Sequence, residues 1–211
     1  MADKNKLLGA LKKALEYKGK RKFRQSVELM VNMRSIDFSK TENRLNLDIP
    51  LPAGKGEKMP KIAVIANEAI ANDARKAGAE LTILPDQIDS YAQQKEKLKD
   101  LAKNYKLLAE PKLMGQVAKS LGTYLGPKGK LPKPIMGDIS KIIDATRRSV
   151  RIVSKGKYLP VAHAFIGTET MEEADLLENA ETVYEAVKNK VSEPNIKSVY
   201  VKLSMGKPIK V

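Results

Sequence analysis

The sequence contains no cysteine and only one histidine. Without cysteine, the chain can form neither a disulfide nor a thiolate metal site. The single histidine, His163, can build neither a histidine-rich metal centre nor a Cys–His catalytic pair. We therefore expect no cofactor and no metal.

Long hydrophobic segments are also missing. No apolar run approaches the roughly 20 residues that a helix needs to span a bilayer. The first residues, from Met1 to Lys6, lack the hydrophobic region of a secretory signal. These features predict a soluble cytoplasmic protein with no membrane partner.

The sequence lacks the known nucleotide-binding patterns. A phosphate loop reads Gly-x-x-x-x-Gly-Lys-Ser/Thr. The pair Gly129-Lys130 has Tyr124 at the first glycine position and Leu131 at the hydroxyl position. The dinucleotide pattern fails too, because Ala66-Asn-Glu-Ala-Ile-Ala follows the first apolar strand. We therefore expect no catalytic activity, and a nucleotide-dependent enzyme that uses an α/β domain is the alternative function.

Positive charge is what the sequence has in excess. The 211 residues include 39 Lys and Arg against 25 Asp and Glu, which gives a net charge of +14. Such a charge favours a polyanionic partner, either nucleic acid or an anionic membrane surface. No basic helix with a broad apolar face is present, which argues against a general binder of anionic surfaces. Residues 155–211 carry as many acidic as basic side chains, so a nucleic-acid contact there must be specific.

Acidic side chains cluster late in the chain, from Glu169 to Glu185. Carboxylates in this number could hold a hard cation. Their alternation with apolar residues is more typical of a helix face in water. The pattern predicts that these acids are solvated.

The two ends of the chain show the period-two alternation of a sheet with one covered face. Apolar residues alternate with polar ones in residues 26–34, 45–51 and 198–204, and residues 161–166 read as a further strand. Helices are predicted near both ends, up to about Tyr17 and over 171–190. Neither end segment can bury its apolar face alone, so the two predict one split β-α-β domain built from residues 1–60 and 155–211.

The middle of the chain has a different pattern. Residues 62–66 and 81–84 are apolar on both faces, as strands of a parallel sheet are. Helical patterns alternate with them, and residues 107–109 and 150–153 are predicted as further strands. Residues 61–154 therefore predict an inserted Rossmann-like, three-layer α/β domain with about four parallel strands. The helices are predicted near 68–77, 87–104, 112–125 and 138–148.

The last part of this insertion combines a helix with a cationic loop. Gly126-Pro127 ends the helix, and the glycine and prolines that follow predict an irregular segment. Lys128, Lys130 and Lys133 are spaced along this loop, where we expect them to stay exposed. They are predicted to supply a tRNA-facing or a general electrostatic contact.

A second group of candidate residues comes from the two chain ends. Lys22-Phe23-Arg24 precedes the first strand, and Ser204-Met205-Gly206 follows the last. If these strands are antiparallel neighbours, the two segments meet. Phe23 is then either a residue that fastens the preceding loop to the core or an exposed ring that packs on a ribose or base.

Three further residues complete this group. Ser26 and Glu28 lie on the open face of the strand, where they can accept hydrogen bonds from ribose 2′-hydroxyls. Gly206 fits either a turn with positive φ or a close approach of the backbone to a ligand.

Three stretches of the sequence resemble one known family. They are AEPKLMGQVAKSLGTYLGPKGKLPKP at residues 109–134, KFRQSVEL at 22–29 and SVYVKLSMGKP at 198–208. They are similar to the large-subunit ribosomal protein L-one family, the protein of the mobile stalk beside the exit site. The resemblance covers the whole chain and is to the short archaeal and eukaryotic form.

This resemblance implies a structural constituent of the large ribosomal subunit that is a monomer within the ribosome. It implies binding to ribosomal RNA, help in the release of deacylated tRNA from the exit site, and repression of its own messenger RNA. It also implies that the RNA site lies on the split domain. The residues that match it are Lys22, Phe23, Ser26, Glu28, Ser204, Met205 and Gly206.

Overall fold

The computed structural model describes residues 4–57, 59–154 and 159–211. The chain divides into two compact units, one of Met1–Lys58 with Arg148–Val211 and the other of Met59–Arg147. Both units mix helices with sheets, and only the second contains a parallel sheet, which confirms the predicted α/β and α+β fold class. The predicted boundary between residues 154 and 155 borders residues outside the described ranges. The division into a split RNA-binding domain, residues 1–60 and 155–211, and an inserted domain, residues 61–154, remains a prediction.

The described residues form seven α-helices and ten strands. The helices are α1 (Lys4–Leu15), α2 (Glu68–Lys76), α3 (Ile88–Gln93), α4 (Lys95–Asn104), α5 (Met114–Leu125), α6 (Ile139–Arg148) and α7 (Glu173–Val191). The strands are β1 (Ser26–Met33), β2 (Asn46–Pro50), β3 (Lys61–Ile65), β4 (Leu81–Ile83), β5 (Tyr105–Ala109), β6 (Lys133–Pro134), β7 (Ser149–Val153), β8 (Val161–Thr168), β9 (Ile196–Leu203) and β10 (Ile209–Lys210).

The first unit is built on an antiparallel sheet with the order β10-β9-β1-β8. In β1 every second residue is buried, as the alternation of apolar side chains predicts. Helices α1 and α7 contribute their apolar residues to the same core, so one face of the sheet is covered. The polar residues of β1 lie on the opposite face, where they are half-buried.

Strand β7 corrects one prediction. Residues 150–153 were expected in the parallel sheet of the insertion, but β7 pairs antiparallel with β2 in the first unit. Ile152 is buried in the core of that unit, to which Ile49 of β2 also belongs. The reason is that a short apolar run fits either sheet, and the partner strand decides between them.

The second unit has the parallel sheet order β4-β3-β5-β6. Ala63 and Ile65 of β3 join one cluster with α3, α4 and α5, while Ile62 and Val64 join another with α2 and α6. Both faces of the sheet are therefore covered, which gives three layers. These strands are apolar along their whole length because both of their faces are buried.

Two details of this unit differ from the prediction. The helix expected over 87–104 is interrupted at Gln94, whose backbone is extended, so α3 and α4 are separate. The loop expected around Lys133 contains β6, where Lys133-Pro134 pairs with the end of β5. Pro134 is tolerated because β6 is an edge strand and needs hydrogen bonds on one side only. No helix within the described ranges is both long enough and apolar enough to cross a membrane.

Candidate nucleic-acid interface

The two predicted contact segments of the first unit lie side by side. Strands β1 and β9 are antiparallel neighbours, with Val27 opposite Leu203. The pairing continues past the end of β9, because the Ser204 amide donates to the Ser26 carbonyl over 3.0 Å. The Ser26 amide donates to Ser204 Oγ over 3.1 Å. The predicted meeting of these strand ends is confirmed, and we call Lys22, Phe23, Ser26, Glu28, Ser204, Met205 and Gly206 the strand-end cluster.

Two large apolar side chains of this cluster are open to solvent. Phe23 is 52% exposed and Met205 is 59% exposed. Lys22 is exposed beside Phe23, whereas the next cation, Arg24, forms an ion pair with Glu57. Phe23 is therefore not a core residue, and the choice between the two readings of its role stays a prediction. An exposed ring next to a lysine is able to stack on a base.

The polar members of the cluster lie on the open face of the sheet. Ser26 and Glu28 are both half-buried, as their places in the alternation require. Glu28 is opposite Lys202 on β9 and opposite Phe165 on β8. A carboxylate and a hydroxyl in these positions can accept hydrogen bonds from ribose hydroxyls that approach this face.

Gly206 lies in the turn after β9. Its amide donates to the Leu203 carbonyl over 2.9 Å. Its φ is not positive, so the first of the two readings of this glycine, a turn with positive φ, is wrong. A Cβ at Gly206 would lie 3.2 Å from the Leu203 Cβ and 3.3 Å from the Leu203 nitrogen. Glycine is thus favoured here by the close approach of the chain to itself.

Sequence reasoning missed two buried residues behind the cluster, Gln25 and Glu169. Glu169 was expected in water on a helix face, but it is only 5% exposed and precedes α7, which begins at Glu173. Its carboxylate accepts hydrogen bonds from the backbone and the side chain of Gln25. Nothing in the local sequence distinguishes Glu169 from the acids that follow it, because its partner is 144 residues away.

The three lysines of the insertion belong to the second unit. Lys128 is exposed, with its Nζ 3.7 Å from the centroid of the Tyr124 ring. Lys130 and Lys133 are half-buried, so the expectation that all three stay exposed is wrong. The segment turns back on helix α5, where the Lys130 amide donates to the Leu125 carbonyl over 3.0 Å.

The fold defines a mixed α/β protein of two units, and the strand-end cluster lies at the ends of two antiparallel strands of the first unit. The family model described as "Ribosomal protein L1p/L10e family" matches residues 11–207. The chain belongs to this family, which confirms the resemblance inferred from its sequence. It is a ribosomal protein and not a nucleotide-dependent enzyme.

Individual relatives agree with the family match. The chain is 41% identical to the large ribosomal subunit protein uL1 of Thermococcus kodakarensis, over 99% of this chain and 98% of the relative. It is 40% identical to the protein of the same name from Pyrococcus abyssi, over 99% of this chain and 96% of the relative. The Archaeoglobus fulgidus protein is 39% identical over 100% of this chain and 99% of the relative.

Proposed function

We propose that the protein is a structural constituent of the large ribosomal subunit in the cytoplasm and binds ribosomal RNA through the strand-end cluster. The observation that carries this proposal is the exposure of Phe23 and Met205 at adjacent strand ends. Exposed apolar residues that occur together are the kind that mark an interaction site, whereas single ones are common on any protein surface. The relatives named above are proteins of the large ribosomal subunit, which supplies RNA as that partner.

The chemistry of the cluster fits single-stranded or looped RNA. Phe23 supplies a face for a base or a ribose, and Lys22 supplies a cation for the adjoining phosphate. Ser26 and Glu28 supply acceptors for 2′-hydroxyls, which DNA lacks. The cluster therefore reads RNA by stacking and by ribose contacts, while the net charge of +14 supplies the attraction that does not depend on sequence.

We assign the RNA contact to the first unit, residues 1–58 and 148–211, and a supporting role to the second unit, residues 59–147. Lys128, Lys130 and Lys133 belong to the insertion and contact tRNA at the exit site. This contact assists release of the deacylated tRNA. Repression of its own messenger RNA follows if that messenger contains a loop that the strand-end cluster binds.

The test is a binding assay against stem-loops of large-subunit ribosomal RNA, titrated with salt. With roughly 6–10 phosphate contacts, affinity falls by about 10³–10⁵ between 50 and 200 mM salt, as for duplex DNA. Lys22→Gln reduces the salt slope by roughly one phosphate contact and weakens binding. Lys128→Gln, in the other unit, is the matched control and leaves the affinity for the stem-loop unchanged.

Two results would count against the proposal. The first is equal affinity for a specific stem-loop and for its DNA counterpart, because the ribose acceptors would then have no role. The second is a complex that does not respond to salt, because phosphate contacts would then be absent.

A further inference from the structure

A buried carboxylate and a buried amide lie directly behind the strand-end cluster. Glu169 is 5% exposed and Gln25 is 2% exposed. One Glu169 carboxylate oxygen accepts a hydrogen bond from the backbone amide of Gln25 over 3.1 Å. The other accepts from Gln25 Nε2 over 3.2 Å and from the Gly19 amide over 3.4 Å. The Glu169 amide donates in return to the Gln25 carbonyl over 3.1 Å.

The Gln25 side chain connects this carboxylate to the other half of the cluster. Its Oε1 accepts a hydrogen bond from the Met205 amide over 3.2 Å. Four segments therefore meet at one amide group. They are the loop before β1 that carries Phe23, the turn after β9 that carries Met205, the residue that follows β8, and the residues after α1, where the Tyr17 carbonyl accepts from Gln25 Nε2 over 3.5 Å.

The charge of Glu169 fixes how the Gln25 amide is oriented. An ionised carboxylate only accepts hydrogen bonds, so the amide must direct its NH₂ group to Glu169. The amide oxygen is then left facing the Met205 N–H. A neutral side chain at position 169 would allow the amide to flip, and the flipped amide would present a donor to a donor.

A buried carboxylate whose donors are neutral N–H groups is a costly way to stabilise a core. Its advantage is that it fixes the orientation of the Gln25 side-chain amide, and this amide holds two loops in place. We propose that Gln25 and Glu169 are a positioning pair that fixes the Phe23 loop and the Met205 turn in the arrangement that binds RNA. This inference rests on the proposed function, and the pair itself does not touch the RNA.

Exchanging the two side chains tests the inference. Gln25→Glu places two carboxylates against each other, and Glu169→Gln places two amide donors against each other. In the double variant Gln25→Glu/Glu169→Gln, Nε2 of residue 169 donates to the carboxylate of residue 25. The second oxygen of that carboxylate still accepts from the Met205 amide. The exchange loses two long contacts, the 3.4 Å bond from the Gly19 amide and the 3.5 Å bond from Gln25 Nε2 to the Tyr17 carbonyl.

We measure three quantities for wild type, both single variants and the double variant. They are the affinity for the ribosomal stem-loop, the unfolding transition in denaturant, and hydrogen exchange of the Met205 amide without RNA. Each single variant should bind about tenfold or more weakly, because the loops must be ordered on binding. Each should also exchange the Met205 amide faster, and the double variant should recover to within about threefold of wild-type affinity.

The direction of the Glu169→Gln effect separates positioning from charge. Removing a negative charge near RNA should strengthen binding if only the field matters. Positioning predicts that the same variant binds more weakly. A purely structural role predicts lower stability with normal affinity of the folded protein.

The possible failures are distinguishable. Wild type without specific affinity for RNA overturns the proposed function, and the inference with it. Normal wild-type binding together with unchanged Met205 exchange in both single variants overturns the inference alone. If a single variant does not fold, the double variant decides: wild-type affinity supports the pair, and a folded double variant with more than about tenfold weakening refutes it.

Discussion

Replacement of Phe23 by alanine separates a contact with RNA from a contribution to the fold. The ring is 52% exposed, so about half of its surface is already in water in the free protein. Full burial of a phenylalanine contributes roughly 1.5–3 kcal/mol, and half of that sets the folding cost of the truncation near 1 kcal/mol. Stacking on a base contributes about 1–3 kcal/mol to binding. That range corresponds to a Kd about 5- to 150-fold higher.

Another phenylalanine of the first unit supplies the control. Phe38 is 2% exposed and belongs to the core of the first unit. Phe38→Ala should therefore cost about 3–5 kcal/mol of folding free energy, while the folded fraction binds RNA normally. Phe23→Ala should therefore weaken binding more than stability, and Phe38→Ala should lower stability and leave binding unchanged.

The assay is denaturant unfolding beside filter binding to the same ribosomal stem-loop, with both variants measured at one salt concentration. Binding is corrected for the fraction folded, so that a loss of stability is not scored as a loss of contact. The reasoning is refuted if Phe23→Ala unfolds several kcal/mol more easily and binds normally once folded. That result would mean the ring packs on its own chain in solution.

Three more predictions concern the rest of the structure. Met205→Ala should weaken RNA binding in the same filter assay, and its effect should be non-additive with that of Phe23→Ala if both side chains touch the same nucleotides. Met136→Ala is the control, because Met136 is a 76% exposed methionine of the second unit and its replacement should have no effect. Replacement of residues 59–147 by a Gly/Ser linker should leave a folded protein whose specific affinity drops by less than about tenfold; a folded but non-binding product would place the site in the insertion. Asn179→Ala removes a fully buried amide that accepts from the Ala53 amide and donates to the Gly54 and Ile166 carbonyls. It should lower the free energy of unfolding by about 2–4 kcal/mol in a denaturant titration without changing the affinity of the folded protein.

The choice of residues 59–147 for the linker experiment depends on a feature that the sequence does not reveal. The predicted insertion, 61–154, includes β7, which pairs with β2 in the first unit. A deletion of 61–154 would remove that strand and expose Ile49, which is buried beside it. Loss of RNA binding in such a protein would report a damaged fold and say nothing about the site.

Local patterns predicted the strand-end cluster well. The period-two alternation of β1 depends only on neighbouring residues, and it correctly assigned the covered and the open face. The antiparallel pairing with β9 entered the sequence analysis only as a condition, because alternation does not say which strand is the neighbour. Exposed Phe23 was one of two readings of the sequence, because a basic run offers a phenylalanine little shelter but does not exclude it from a core.

Contacts between distant residues could not be predicted. Gln25 and Glu169 are 144 residues apart, and each looks ordinary in its local segment. The same holds for β6, where a Lys-Pro dipeptide in a proline-rich loop pairs with β5. In both cases the structure depends on which distant group is available, and a single sequence contains no signal for that.

The placement of the cluster has a consequence for when the protein can bind RNA. Ser26 and Ser204 are 178 residues apart, yet they share the hydrogen bonds that close the cluster. Strand β1 lies between β9 and β8, and both neighbours come from the last part of the chain. Strand β1 therefore lacks both of its sheet partners until the last part of the chain has been synthesised. Three of the seven residues of the strand-end cluster are missing until the turn at Met205 docks beside Gln25. If the strand-end cluster binds RNA as proposed, a chain that ends before residue 204 should retain charge-driven affinity but bind the specific stem-loop more weakly, because it lacks Met205 and the turn that carries it.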